Sequence, residues 1–144
     1  MSRAIVGVVA GLIAWILIAT IGNLGLRMAW PGYSEVEAAM RFTDAMMAAR
    51  LFLGALSSLG AGFVVAWITH RNGRAVWILA ALLLVVFVPT HYRLWEKFPV
   101  WYHAVFLVSL VVVTRLGGML ARHGAHEGNG RVAPPAGTGQ DGAA

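Results

Sequence analysis

The sequence contains no cysteine in 144 residues, which excludes disulfides, zinc–thiolate centres and thiol redox chemistry. Charge is scarce too. Only 12% of residues are Asp, Glu, Lys or Arg, against roughly a quarter in soluble domains. Lysine occurs once, at Lys97, beside ten arginines and six acidic residues. The net charge of +5 forms no clustered basic stripe, so no nucleic-acid surface is expected. A surplus of this kind suits loops that face anionic lipid headgroups. Also missing are G-x-S-x-G, a Walker loop and H-E-x-x-H. The expectation is therefore a protein that is not an enzyme, with no catalytic residue, no metal site and no cofactor.

Apolar residues are what the chain has in abundance. They make up 59% of it, and the mean hydropathy is +0.73. They fall into four blocks, with spans expected at about 4–26, 45–69, 75–92 and 100–121. Crossing a bilayer core takes ~20 helical residues. The third block has 15 uninterrupted apolar residues, Ala75 to Pro89, and reaches across only if the helix continues through Thr90, His91 and Tyr92. Pro89 then sits in its last turns, where a kink is expected. The expected fold is all-α: a four-helix transmembrane bundle, up-down-up-down, occupying residues 1–123. Residues 124–144 are rich in Gly, Pro and Ala and read as a disordered cytoplasmic tail.

The first loop, residues 27–44, breaks at Trp30-Pro31-Gly32-Tyr33. Ser34 and Glu37 match a capping box, and Glu37 with Arg41 makes an i,i+4 pair. These predict a short helix from Glu35 to about Phe42, lying in the interface or running on into the second span. Thr43-Asp44 offers a second cap. Between the second and third spans, Asn72-Gly73 signals a tight turn.

Small residues mark the packing faces. Gly7, Gly11, Ala14, Ile18, Gly22 and Gly25 form one stripe on the first span at 100° per residue. In the second span Arg50, Gly54, Ser57, Ser58 and Ala61 share a face, with Gly62 beside them. Phe52, Leu56, Leu59, Phe63 and Trp67 lie opposite. In the fourth, His103, Leu107, Leu110, Thr114, Gly117, Gly118 and Ala121 form the less bulky stripe. Arg115 is within reach of the polar end by snorkelling. Arg50 has two readings: it snorkels to the headgroups, or it lines a buried polar cavity.

The densest stretch is Pro89 to His103, with two His, two Trp, two Tyr and the Arg93/Glu96/Lys97 charges. Most of that density is what a membrane interface favours. Two sharper readings stand beside it. Arg50, His91, His103 and Glu96 are candidates for a polar cavity serving a small solute or proton, since intramembrane ionisable groups mark such paths. Alternatively, the two imidazoles hold a haem or, with Glu96, a metal. Proton-coupled exporters of this size carry a carboxylate in the first span, where this chain has only Asn23.

Lys and Arg divide six to five between the two sides, and the short turn with Arg71 and Arg74 is the dense one. Both termini are accordingly expected in the cytoplasm. The Arg-over-Lys bias, with abundant Ala, Gly and Val, points to a bacterial source and an inner membrane.

Pro99-Val100-Trp101-Tyr102, Leu116-Gly117-Gly118-Met119-Leu120-Ala121 and the small residues from Gly54 to Gly62 carry one resemblance. By these the chain resembles uncharacterised small bacterial membrane proteins with four predicted helices. The resemblance covers most of residues 4–122; it implies the architecture and brings no activity with it. The functional expectation is a structural or accessory membrane protein, with the bilayer, a second copy or another membrane protein as partner. A transporter using the polar cavity comes second, and a haem- or metal-binding protein third.

Overall fold

The structure is a computed structural model, and it describes residues 2–70 and 72–123. The segment 124–144, read above as a disordered tail, lies outside the described residues, as does Arg71. Among the described residues the chain forms five helices and no strand: α1 Ser2–Ala29, α2 Tyr33–Ala39, α3 Asp44–Ile68, α4 Gly73–Arg93 and α5 Val100–His123. Four of them, all but α2, are long and apolar enough to cross a membrane. At 1.5 Å per residue even α4, with 21 residues, reaches about 31 Å.

Local chemistry explains the helix ends. The Thr43 side chain caps α3 by accepting from the Met46 amide at 3.3 Å, and Asn72 caps α4 by accepting from Arg74 at 3.1 Å. Each satisfies an amide that has no intrahelical partner. The expected turn at Asn72-Gly73 is thus a cap followed directly by the first helical residue. Pro89 lies inside α4. It has no N–H to offer the Val85 carbonyl, and Thr90 Oγ1 donates to Val86 one residue on, at 3.3 Å.

The capping box expected at Ser34 and Glu37 does not form. α2 begins at Tyr33 after Gly32, which takes the left-handed φ of 78° and makes no side-chain cap bond. The helix ends at Ala39 instead of Phe42, with Met40 also left-handed at φ 53°. The reason lies with Glu37: its carboxylate is held by Asn23, Arg27 and Arg50 and does not reach back to Ser34 or across to Arg41.

α3 is the central element, packing most extensively on α5 and then on α1. Its inward face is Gly54, Ser57, Ser58, Ala61 and Gly62, all buried. Phe52 and Trp67, on the opposite face, are each 72% exposed. The α3–α5 contact is a backbone approach. A Cβ at Gly62 would meet the Thr114 carbonyl, and one at Gly117 would meet the Leu59 carbonyl. Only glycine permits this, and it is how apolar helices gain packing without a hydrophobic driving force between them.

The core follows from these faces: Ala61, Val65, Val76, Leu79, Leu83 and Leu110 are at its centre. Outside it, large apolar side chains such as Ile21, Met28, Val85 and Val108 are more than 60% exposed. An apolar exterior all round the bundle exceeds the patches soluble proteins show and suits a hydrocarbon surrounding. Arg115 is exposed with its guanidinium 4.3 Å from the Trp77 ring centroid, a cation–π contact.

Candidate functional site

Two polar constellations sit near the end of the bundle that carries α2. The first is a clasp centred on Glu37. Arg27 Nε donates to Glu37 Oε2 at 2.8 Å and Asn23 Nδ2 donates to Oε1 at 3.0 Å. One Arg50 Nη donates to Tyr33 Oη at 3.1 Å and to Glu37 Oε1 at 3.4 Å. One carboxylate thus joins α1, α2 and α3. Burial pushes the Glu37 carboxyl up. The hydrogen bonds from Asn23 and Arg27 and the charges of Arg27 and Arg50 outweigh this and hold it below its ordinary value of 4.5. Tyr33 is fully buried, which seats α2 on the bundle. The Arg50 guanidinium also lies 4.7 Å from the Phe42 ring centroid. Its Nε is buried and has no hydrogen-bond partner.

Beneath the clasp runs a cavity of about 470 Å³. Asn23, Arg27, Arg50 and Tyr102 line its polar part. Trp15, Leu53, Phe87 and Phe106 line the rest. Gly54 and Ala19 leave room by being small, and the exposed Thr20 and Leu24 open it toward the surroundings of the bundle. At the deep end the Trp15 indole donates to Ser58 Oγ at 3.1 Å, and its ring packs on Phe87 with centroids 4.8 Å apart.

The second constellation is His91 with His103. Their Nδ1 atoms are 2.7 Å apart, with the side chains only 7% and 1% exposed. Trp95 stacks on His103 with centroids 5.0 Å apart and planes 12° from parallel, while Phe106 packs on His91 at 4.6 Å. When both rings are neutral, one Nδ1 carries a proton and the other accepts it. Two Nδ1–H groups cannot face each other at this distance, so a doubly protonated pair must separate. His103 Nε2 is buried without a partner.

The structure therefore distributes the four cavity candidates over three places. Arg50 lines the cavity. His91 and His103 meet each other, and Tyr102 stands between them and Arg50, lining the cavity and packing on His91 with centroids 6.1 Å apart. Glu96 is exposed on the connection between α4 and α5. This arrangement does not fit a tetrahedral metal ion held between the two Nδ1 atoms. Two nitrogens on a tetrahedral ion at 2.0–2.1 Å lie about 3.3 Å apart, and these two are already hydrogen-bonded to each other. Among the described residues, no group of three His, Asp or Glu is placed to hold a metal ion.

The two buried serine hydroxyls are spoken for by their own helix: Ser57 donates to Leu53 O and Ser58 to Gly54 O, each at 2.8 Å. Neither has a base beside it. Asn23, Arg27, Tyr33 and Glu37 are the clasp residues that sequence reasoning missed. A signal was present, since Asn23 and Arg27 stand at i,i+4 on one face of an otherwise apolar helix.

Fold and site together define a class: a helical bundle with four candidate membrane spans, a charged clasp at one end and a cavity beneath it. Beyond that class no particular relative can be given, since no protein-family model, no curated protein and no solved structure matches the chain.

Proposed function

We propose that this is a multi-pass accessory protein of a bacterial inner membrane, acting by binding. Its four spans run up-down-up-down, both termini lie in the cytoplasm, and α2 rests at the outer interface. The observation that carries the reading is the cavity, headed by Arg50 and walled by Trp15, Leu53, Phe87 and Phe106. Its lining draws on the C-terminal parts of α1 and α4 and the N-terminal parts of α3 and α5, as alternating directions require. Partners are the bilayer and either a second copy or another membrane protein.

Cysteine labelling tests the topology without background, because the native chain has no thiol. A membrane-impermeant maleimide is expected to label Ser34→Cys in intact cells and Asn72→Cys only after permeabilisation. A photo-crosslinking residue at Phe52, 72% exposed, tests the role. Adducts with protein support it, and adducts with lipid alone count against it.

A second reading, proton-linked transport of a small solute, is favoured by the His91–His103 pair, which takes a second proton only by opening. Flux into proteoliposomes that is unchanged by Arg50→Ala would remove it.

A further inference from the structure

We infer that the cavity beneath the clasp is a binding site for a single-chain amphiphile with an anionic oxygen head, a carboxylate or phosphate on one hydrocarbon chain. The inference rests on the proposed reading in one respect, that the bundle sits in a bilayer.

Shape argues for one chain. Trp15 and Arg27, at the two ends of the lining, are twelve residues apart on α1, about 18 Å at 1.5 Å per residue. A volume of about 470 Å³ drawn out along that length makes an elongated slot, the shape that an extended hydrocarbon chain takes. The wall along this length is apolar, formed by Trp15, Leu53, Phe87 and Phe106. Entry is lateral, past Thr20 and Leu24 on α1, the least buried of the four long helices.

Charge argues for an anionic head. Two guanidinium groups, Arg27 and Arg50, stand at the polar end against one carboxylate, Glu37. Arg27 holds that carboxylate at 2.8 Å, whereas Arg50 is at 3.4 Å. Tyr33, Glu37, Tyr102 and the face of Phe42 surround the Arg50 guanidinium, but of these only Glu37 carries a negative charge, so one of the two positive charges is left unbalanced. A half-buried uncompensated charge is expensive in a membrane; an oxyanion in the cavity, which Arg27 and Arg50 both line, balances it.

The test uses the full chain in a neutral maltoside detergent, read by native mass spectrometry and thermal unfolding. The probes are palmitate, lysophosphatidylglycerol, monopalmitoylglycerol and inorganic phosphate. Palmitate or lysophosphatidylglycerol is expected to form a 1:1 adduct and raise the midpoint. Which of the two binds tells a free acid from a lipid-derived head, and either supports the site. Monopalmitoylglycerol is expected to bind about tenfold more weakly, as is palmitate to Arg50→Gln, because each removes a charge-assisted hydrogen bond. Ala19→Phe fills the cavity without touching the clasp and is expected to abolish the adduct with helical content unchanged. No adduct with either anion, equal binding of the neutral ester, or an Ala19→Phe variant that still binds overturns the inference. Failure of the membrane reading shows separately, as Ser34→Cys and Asn72→Cys labelling alike in intact cells.

Discussion

His91 and His103, twelve positions apart on consecutive helices, meet through their Nδ1 atoms at 2.7 Å in a closed aromatic surround. The two members are not equivalent. His103 also buries an Nε2 that has no partner, so its replacement removes one unmet atom while creating another.

That asymmetry predicts an order. His91→Leu leaves both His103 nitrogens unmet and is expected to destabilise by about 1–3 kcal/mol, the usual cost of stranding a buried polar group. His103→Leu is expected to cost less. The double variant is expected to cost less than the sum of the singles, with a coupling of about 0.5–3 kcal/mol. Denaturation in detergent of all four proteins measures it, and additive effects would mean that the bond contributes nothing.

Acid should release α2. The Glu37 carboxyl is held below its ordinary 4.5 by Asn23, Arg27 and Arg50, against the opposing effect of burial. A group depressed in the folded state contributes stability that is present in full above its unfolded value and lost as pH falls through the folded one. Docking of Tyr33–Ala39 is therefore expected to be insensitive to pH above about 4.5 and to weaken below it. Hydrogen exchange of this segment, corrected for intrinsic rate, reads the change. In Glu37→Gln the step should vanish, with the segment less protected at neutral pH.

How far the sequence could be read depended on the range of the physics involved. Apolar length and the turn chemistry at Thr43 and Asn72 are local, and so is the small face of α3; helices and faces could be read directly from them. The clasp could not. Ser34 and Glu37 satisfied a local capping rule, but Glu37 is claimed by partners ten, thirteen and fourteen residues away, and charged donors win over a backbone amide. His91 was equally out of reach: whether it faces Arg50 or His103 depends on how α4 and α5 rotate about their axes, which no spacing within either helix sets.

Ser57 and Ser58 are adjacent and both fully buried, yet their substitutions should differ. Ser57 only donates to its own helix at Leu53, a local bond that does little for a helix, so Ser57→Ala is expected to be neutral within about 0.5 kcal/mol. Ser58 also accepts from Trp15 across the α1–α3 contact. Ser58→Ala strands that indole N–H and is expected to cost about 1–3 kcal/mol. Thermal unfolding in detergent separates the two, and equal values would show that the Trp15 bond adds nothing.

The strongest dependence should lie at the α3–α5 contact, because there the obstacle to a side chain is backbone. At Gly118 an added Cβ would stand 3.0 Å from a Val76 methyl, which can turn aside by a few tenths of an ångström. At Gly62 and Gly117 it would meet the carbonyls of Thr114 and Leu59, which cannot move without separating the helices. Gly62→Ala and Gly117→Ala are therefore expected to destabilise by about 1–3 kcal/mol or more, with Gly118→Ala milder. Gly25 has nothing within 4 Å of its added Cβ. Gly25→Ala should gain up to about 1 kcal/mol from helix propensity alone. Unfolding of the four variants in one detergent tests the order. In a surrounding as apolar as the side chains themselves, close packing is what holds two helices together. A Gly62→Ala protein as stable as Gly25→Ala would mean that α3 and α5 are held by something other than this approach.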